Sequence, residues 1–262
     1  PSATAVDSIQ YDNAFRMCFS DPNQGSASAD YIAENKLATK VAIIYNSSDT
    51  YSSGIYQTFA TEAKAKGLDV VAAEAFTADN KTDFSVQIQK AKDAGAELVF
   101  LPIYYQEASL ILAQANKAGF TPKWFGCDGM DGILDLDGFD ASLAEDLMFL
   151  TPFTANATDE ATQKFVADYK EAFGDTPIQF AADAYDCVYV IKAAAEKEDV
   201  TPDKSVSDIC DALKKGMTEI TYDGLTGKSI TWSEDGEPTK EPTVVLVKSG
   251  EYQVLQAEDA AE

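Results

Sequence analysis

The chain has 262 residues, of which 45% are hydrophobic, and this composition provides the cores of one large or two medium-sized domains. Acidic residues outnumber basic ones 44 to 20, and the net charge of -24 makes nucleic acid and anionic membrane surfaces poor partners. The chain contains no histidine, which excludes Ser-His-Asp and Cys-His catalysis and every histidine metal site.

Residues 24–153 alternate between β-strand and α-helix patterns. Short apolar, β-branched runs predict strands, and apolar residues at helical spacing between them predict helices. The predicted strands are 40–46, 68–76, 97–103, 123–128 and 146–153, and the predicted helices are 51–67, 83–95 and 105–119. This alternation predicts β-α-β units and a parallel sheet that helices cover on both faces.

Three consecutive helices are predicted after residue 153, over 158–174, 178–198 and 205–216. Thr158 and Ser205 are their predicted N-caps, and Asp208 completes a capping-box-like start. The nearest strand pattern that could pack on these helices is AFRMCF at 14–19, far upstream. The final residues, TVVLVKSGEYQVLQ at 243–256, predict a hairpin around Ser249 and Gly250.

This imbalance between strands and helices predicts two α/β lobes. We expect residues 1–22 and 154–237 to form an N-terminal lobe whose first part is absent from this chain. Residues 23–153 and 238–262 are expected to form a C-terminal lobe.

The stretch GLTGKS at 224–229 resembles the end of a phosphate-binding loop. A Walker A loop needs a further glycine five residues before Gly227, and Tyr222 stands there instead. The residues that follow, SITWSEDGEP, predict a strand and a turn where the motif requires a helix. The pattern therefore disfavours nucleotide binding.

Neither the cysteines nor the acidic residues have the spacing of a known metal-binding motif. The cysteines at positions 18, 127, 187 and 210 form no C-x-x-C pair, so we predict no zinc site. Cys187 and Cys210 lie on two predicted helices and could form a disulfide, and the alternative is four small buried apolar residues. The aspartates at 131, 135, 137 and 140 lack EF-hand spacing, which indicates a solvated acidic loop. We predict no metal and no cofactor.

Aromatic and acidic residues stand at the ends of three predicted strands, where open parallel sheets bind ligands. Asp128 could pair with an ammonium group, and Tyr51 and Tyr104 could offer phenol donors or ring faces to the cation. Hydroxyls and backbone N–H groups at Ser2 and Thr4 could hold a carboxylate. This pattern suits a small zwitterion, and the alternative is a set of solvated loop residues.

Four parts of the chain carry a family resemblance. They are PSATA at 1–5, FRMCFSDPNQGSASADYI at 15–32, a long run from VAIIYN at 41 to KAG at 119, and YDGLTGKSITWSEDGEPTK at 222–240. These parts resemble the type I solute-binding proteins of ABC importers, and specifically the branched-chain amino acid (Leu/Ile/Val) binding group. The resemblance implies two Rossmann-like lobes joined by three crossings. It also implies that Gly224, Gly227 and Gly236 are needed for the backbone path and its turns and do not bind a phosphate.

The resemblance also implies roles for individual residues. The main chain of Ser2 and the hydroxyl and amide of Thr4 match contacts to the amino acid head group. Tyr51 matches an aromatic that closes over the ligand, and Tyr104 matches a tyrosine that reaches the head group. Asp128 matches the acid that binds the α-ammonium, which is glutamate in many members.

Phe180 matches an aromatic near the ligand side chain. Family members carry a further segment before the PSATA position, which supplies the first strands of the N-terminal lobe and part of the side-chain pocket. We expect that segment to have been removed, to exist as a separate polypeptide, or to be replaced by another element that completes the sheet.

The function that the resemblance implies is non-catalytic capture of an amino acid between the lobes, for delivery to a membrane permease. It implies an extracytoplasmic protein, in the periplasm or tethered as a lipoprotein after removal of a signal peptide. The alternatives are a ligand-sensing module on the same fold, capture of another small solute such as an amide or urea, and an enzyme at the Tyr104 and Asp128 edge.

Overall fold

The computed structural model describes residues 3–240 and 242–255, and the chain divides into two units that the polypeptide links three times. Unit 1 comprises Pro1–Ser20 and Pro152–Glu241, and unit 2 comprises Asp21–Thr151 and Pro242–Glu262. The predicted lobe boundaries, 22/23, 153/154 and 237/238, differ from these by a few residues. The first helix of unit 2 already begins at Asp21, and Lys240 is buried against Asp183 of unit 1.

Unit 2 contains a seven-stranded sheet. Its strands are β1 (Lys40–Asn46), β2 (Asp69–Phe76), β3 (Leu98–Leu101), β4 (Lys123–Gly126), β5 (Met148–Thr151), β6 (Thr243–Lys248) and β7 (Glu251–Val254). The strand order is β2-β1-β3-β4-β5-β6-β7, parallel from β2 to β5 and antiparallel at β6 and β7. The predicted α/β class is confirmed, with strand ends shorter than predicted. The last residue of the predicted hairpin, Gln256, lies outside the described residues.

Four helices accompany this sheet: α1 (Asp21–Glu34), α2 (Thr50–Ala65), α3 (Ser85–Asp93) and α4 (Tyr105–Lys117). Helix α1 is absent from the predicted elements, because its small and polar residues give a weak helical pattern. Contact with α2 stabilises it. A Cβ atom at Gly25 would lie 2.0 Å from Thr58 Oγ1 and 2.7 Å from the Ile55 carbonyl oxygen, so the two helices approach backbone to backbone.

Side chains alternate between the two faces of the sheet, and helices cover both. Ala42 and Val99 belong to the core that includes Ile88 of α3. Phe100, the next residue of β3, points the other way, and its ring stacks on Phe59 of α2 with centroids 3.9 Å apart. The period of two along a strand therefore sorts these residues between two apolar layers, as the sequence predicts.

Unit 1 contains the helices α5 (Glu160–Phe173), α6 (Gln179–Lys197) and α7 (Val206–Glu219). Its described residues contribute isolated β-bridges, such as the one between Tyr222 and Ile230, and no strand to the sheet. The predicted strand at 14–19 is wrong. The Arg16 N–H donates to the Gly236 carbonyl oxygen, and the Arg16 carbonyl oxygen accepts from Trp232 Nε1, so this backbone is bonded to a turn and a side chain.

The ends of the unit 1 helices differ from prediction in two places. The N-cap of α5 is Asp159 and not Thr158, because the Asp159 carboxylate accepts the Thr162 N–H at 3.0 Å. The predicted N-cap Ser205 is confirmed for α7. That helix continues beyond Gly216, where a Cβ atom would lie 2.6 Å from the Ala194 carbonyl oxygen, so the glycine serves close packing on α6.

Short 3-10 helices cover Val6–Ile9, Asp128–Met130, Ile133–Asp135 and Ala141–Ala144. No helix within residues 3–240 and 242–255 is both long enough and apolar enough to cross a membrane. All four cysteines are free thiols, so Cys187 and Cys210 do not form the disulfide considered above. Cys18 and Cys127 are buried, whereas Cys187 and Cys210 are half-buried.

Candidate functional site

The order of the strands reverses next to β1, because the chain runs from β1 outward to β2 and then returns to β3 on the other side. In such sheets ligands bind at the carboxyl ends of the strands beside this switch point. Tyr51 lies in the first turn of α2 after β1, Tyr104 is the N-cap of α4 after β3, and Asp128 begins a 3-10 helix after β4. The three predicted residues of unit 2 therefore share one edge of the sheet.

These three residues are in direct contact. The Tyr51 hydroxyl donates to Asp128 Oδ1 at 2.7 Å and accepts the Gly129 N–H at 3.0 Å. The rings of Tyr51 and Tyr104 stack with centroids 4.8 Å apart and an interplanar angle of 27°. A side chain at position 129 would disturb this contact, because a Cβ atom would lie 2.8 Å from the Tyr51 hydroxyl oxygen and 3.0 Å from the Ile103 carbonyl oxygen. We refer to Tyr51, Tyr104 and Asp128 as the acidic cluster.

Burial raises the pKa of both phenols of the cluster. Asp128 is 2% exposed and Tyr51 is buried, whereas Tyr104 is 39% exposed. Desolvation, reinforced by the Asp128 charge, raises the pKa of Tyr51 well above its usual value. Desolvation and then the Asp49 charge raise the pKa of Tyr104 to about 12. Both phenols therefore remain neutral hydrogen-bond donors at neutral pH, next to a carboxylate.

One residue that contacts the cluster, Gln24, is not among the predicted site residues. Gln24 of α1 is fully buried, and its Oε1 atom accepts the Asp128 N–H at 3.0 Å. One helical turn later, Ser28 Oγ lies 3.9 Å from Cys127 Sγ. Gln24 and Ser28 are four residues apart, a spacing that places both on one helical face, and that polar pair was the available signal. Burial, followed by the Asp128 charge, raises the pKa of the Cys127 thiol, so this group is a neutral packing residue.

The other predicted site residues belong to unit 1 or lie outside the described residues. Ser2 is outside them. Thr4 is buried in unit 1, and its carbonyl oxygen accepts from Arg16 Nη1 at 2.5 Å. Phe180 is half-buried in the first turn of α6. The acidic cluster thus consists of unit 2 residues alone, and the ligand-binding roles of Ser2, Thr4 and Phe180 stay predictions.

The GLTGKS loop does bind an anion, and that anion is a side chain of the protein. The Asp186 carboxylate of α6 accepts the N–H groups of Leu225 and Thr226 at 3.0 and 2.9 Å and the Thr226 hydroxyl at 2.7 Å. A Cβ atom at Gly224 would lie 2.4 Å from Asp186 Oδ2, so this glycine makes room for the carboxylate. The N–H groups of Leu225 and Thr226 are therefore not available to a phosphate.

Within residues 3–240 and 242–255, no group of three or more acidic or cysteine side chains could hold a metal ion. The chemistry available at the acidic cluster is hydrogen bonding and charge pairing: a buried carboxylate, two phenol groups and one partly exposed aromatic ring. Such a set suits a small group that carries both positive charge and hydrogen-bond donors.

A family model described as "Periplasmic binding protein" matches residues 1–251. Leu/Ile/Val-binding protein homolog 3 of Brucella melitensis is 29% identical over 242 residues, which cover 90% of this chain and 62% of the relative. The leucine-, isoleucine-, valine-, threonine- and alanine-binding protein of Pseudomonas aeruginosa is 28% identical over 228 residues, 86% of this chain and 59% of the relative. The chain thus spans about three fifths of the length of these relatives.

Solved structures of proteins from the same group are also similar to this chain. A leucine binding protein, LivK, from Thermotoga maritima superposes with a TM-score of 0.81 at 27% identity, over 95% of this chain and 69% of that protein. LivJ from Streptococcus pneumoniae, a branched-chain amino acid transporter substrate binding protein solved in complex with isoleucine, gives a TM-score of 0.77 at 26% identity. That superposition covers 93% of this chain and 68% of LivJ.

Proposed function

The chain belongs to the periplasmic binding protein family, and from this premise we propose that it is the solute-binding component of an ABC transporter that captures a branched-chain amino acid. The observation that carries the proposal is the acidic cluster at the switch point of the unit 2 sheet. Asp128 supplies a buried negative charge there, and Tyr51 and Tyr104 surround it with aromatic and phenolic groups.

An α-ammonium group matches this cluster chemically. It carries one positive charge and three N–H donors. It would therefore supply the hydrogen bonds and the opposite charge that a buried carboxylate cannot obtain from bulk water. A charge-assisted hydrogen bond to Asp128 would be strong, because water competes poorly at a 2% exposed side chain. The exposed part of the Tyr104 ring offers a face to the same cation.

The remaining parts of the ligand are assigned to unit 1 in this proposal. Ser2 and Thr4 would bind the α-carboxylate, and Phe180 would contact the aliphatic side chain. Unit 1 would then be the N-terminal lobe and unit 2 the C-terminal lobe of a two-lobed binding protein. The branched-chain class is supported by the Leu/Ile/Val-binding relatives and by the isoleucine complex of the Streptococcus pneumoniae protein.

The proposal includes a location and partners. The protein would act outside the cytoplasm, free or tethered as a lipoprotein, and would deliver its ligand to an ABC permease. It would catalyse no reaction.

The experiment is a titration of the purified chain by calorimetry and thermal shift with leucine, isoleucine and valine. Two leucine analogues separate the head-group contacts: 4-methylpentanoate lacks the ammonium, and isoamylamine lacks the carboxylate. We expect leucine to raise the melting temperature, because a ligand that binds the native state stabilises it. The ammonium-free analogue should bind at least about tenfold more weakly, since a charge-assisted hydrogen bond is lost.

Asp128→Asn is the variant that tests the cluster, and Asp146→Asn, at an exposed acid paired with Lys248, is the matched control. Asp128→Asn should lose the discrimination between leucine and 4-methylpentanoate, and Asp146→Asn should keep it. Equal binding of the two ligands by the unmodified chain, or unchanged leucine affinity in Asp128→Asn, would overturn the proposed function.

A further inference from the structure

We propose that Gln24 is a positioning residue for Asp128: it fixes the backbone of the segment whose carboxylate binds the ligand ammonium. The inference rests on the proposed function for its consequence in binding. It assigns a role to a residue of α1 that lies 104 positions away from Asp128 in the sequence.

Two consecutive backbone N–H groups after β4 are each bound by a side chain from a different helix. Gln24 Oε1 of α1 accepts the Asp128 N–H at 3.0 Å, and the Tyr51 hydroxyl of α2 accepts the Gly129 N–H at 3.0 Å. The same Tyr51 hydroxyl donates to Asp128 Oδ1. Asp128 is therefore held at its backbone by Gln24 and at its carboxylate by Tyr51, which leaves little freedom to its side chain.

The chemistry of the contact fixes the orientation of the Gln24 amide. A backbone N–H can only donate, so the atom that faces Asp128 must be the carbonyl oxygen of the glutamine side chain. The residue is fully buried, and water cannot replace Oε1 as the acceptor. Nε2, on the same carbon, is buried and has no hydrogen-bond partner within the described part of the chain. An apolar side chain would avoid that buried donor but would leave the Asp128 N–H unpaired.

The packing of α1 on α2 makes this arrangement rigid. Gly25 lies directly after Gln24, and a Cβ atom there would overlap the Thr58 hydroxyl and approach the Ile55 carbonyl oxygen to 2.7 Å. Because the two helices are in backbone contact at Gly25, Gln24 and Tyr51 are held by one helix pair. Their two acceptor atoms consequently keep a fixed spacing that matches the successive N–H groups of residues 128 and 129.

The test compares Gln24→Leu, which removes the acceptor, with Gln24→Glu, which keeps an acceptor oxygen at the same length. Gln114→Leu is the matched control, because Gln114 Oε1 also accepts a backbone N–H, that of Phe84, at 2.8 Å elsewhere in unit 2. Amide hydrogen exchange, read residue by residue by NMR, reports on the Asp128 N–H, and calorimetry with leucine reports on binding.

In Gln24→Leu the Asp128 amide should exchange at least about tenfold faster, and leucine affinity should fall at least about tenfold, equivalent to about 1.4 kcal/mol. Gln24→Glu should retain the exchange protection of Asp128. Gln114→Leu should expose the Phe84 amide and leave both Asp128 exchange and leucine affinity unchanged. If Gln24 had only a general structural role, Gln24→Leu and Gln114→Leu would change the exchange rate of the Asp128 amide to the same extent.

Unchanged protection of the Asp128 amide in Gln24→Leu would overturn the proposal, and so would lost protection with unaltered leucine affinity. If Gln24→Leu does not fold, Gln24→Met provides a flexible side chain without an acceptor, and the same outcomes apply. If the unmodified chain binds no amino acid, the proposed function fails. The exchange of the Asp128 amide in the variants then still decides whether Gln24 holds this segment.

Discussion

Lys240 and Asp183 form an ion pair with 3.2 Å between Nζ and Oδ1, and their side chains are 2% and 0% exposed. The ammonium group also donates to the Met17 carbonyl oxygen at 2.8 Å and to Thr226 Oγ1 at 2.7 Å. Desolvation raises the pKa of Asp183, and the Lys240 charge acts in the opposite direction. One buried cation thus ties residues 17, 183 and 226 together in unit 1.

The first prediction concerns Lys240→Met. Removing the cation leaves the Asp183 charge buried without its partner, and at pH 7 we expect a loss of about 3–5 kcal/mol in the free energy of unfolding. The loss is measured by urea unfolding followed by circular dichroism. Lys240→Met/Asp183→Leu should recover much of it, because no buried charge remains. Lys164→Met, at an ion pair exposed on both sides, is the control and should change stability little.

The sign of the pH dependence follows from the raised pKa of Asp183. A carboxyl group whose pKa is higher in the folded state contributes stability at low pH, and that contribution is lost as the pH rises through the folded pKa. Lys240→Met removes the charge that lowers this pKa, so the pKa rises further. The destabilisation should therefore shrink between pH 7 and pH 5. An equal loss at both pH values would show that Asp183 is not the cause.

The second prediction concerns Asp186→Ala. This change removes the carboxylate that accepts the N–H groups of Leu225 and Thr226. Unpaired buried donors cost about 1–3 kcal/mol each, so we expect the free energy of unfolding to fall by about 2 kcal/mol or more. Asp223→Ala is the control, because Asp223 accepts the Ser229 N–H at an exposed position. A similar loss in both variants would contradict the idea that burial makes the Asp186 contact costly to remove.

The apolar pattern of the sequence predicted an element correctly where the structure also supplies the neighbours that such an element needs. β1 forms over the predicted residues 40–46, because its apolar run is buried on both faces of the sheet. The segment 14–19 has the same kind of pattern but pairs with no strand among the described residues. The side chains of Trp232 and Lys240 donate hydrogen bonds to two of its carbonyl oxygens instead. A strand needs a neighbouring strand, and composition alone does not show one.

The same limit applies to the candidate site. The shared edge of Tyr51, Tyr104 and Asp128 was predictable because each follows a strand of a parallel sheet, and strand ends converge on one edge. Gln24 was not, because its contact with the Asp128 N–H depends on how α1 packs against α2. That packing depends on the close approach of the two helices at Gly25. Helical periodicity in the sequence does not show which residues of another helix come this close.

The third prediction tests this close approach through Gly25→Ala. The added methyl group would lie 2.0 Å from Thr58 Oγ1 and 2.7 Å from the Ile55 carbonyl oxygen, so α1 must shift away from α2. We expect a loss of about 1–3 kcal/mol in the free energy of unfolding, in spite of the higher helix propensity of alanine. Thermal or urea unfolding measures it.

Gly54→Ala is the matched change on the facing helix, where the nearest atom to an added Cβ would be Asp21 Oδ2 at 3.3 Å. A carboxylate can move by a few tenths of an ångström, and alanine favours the helix by about 1 kcal/mol, so this variant should be neutral or stabilised. If Gly25→Ala is as stable as Gly54→Ala, the helices are not in backbone contact at Gly25.

The fourth prediction concerns the Tyr51 hydroxyl. Tyr51→Phe removes the 2.7 Å hydrogen bond to Asp128 Oδ1 and the acceptor of the Gly129 N–H. At neutral pH we expect a loss of about 1–3 kcal/mol in the free energy of unfolding, because buried groups lose a partner while the ring packing remains. Tyr11→Phe, at a tyrosine that is 68% exposed, is the control and should be neutral.

The difference between the unmodified protein and Tyr51→Phe should depend on pH. Desolvation and the Asp128 charge raise the pKa of Tyr51 above its usual value of 10.0, so the neutral phenol contributes stability below about pH 10 that is lost as the pH rises further. The stability advantage of the unmodified protein over Tyr51→Phe should consequently shrink above pH 10, as measured by urea unfolding at a series of pH values. A constant difference across that range would mean that the Tyr51 phenol is not held neutral beside Asp128.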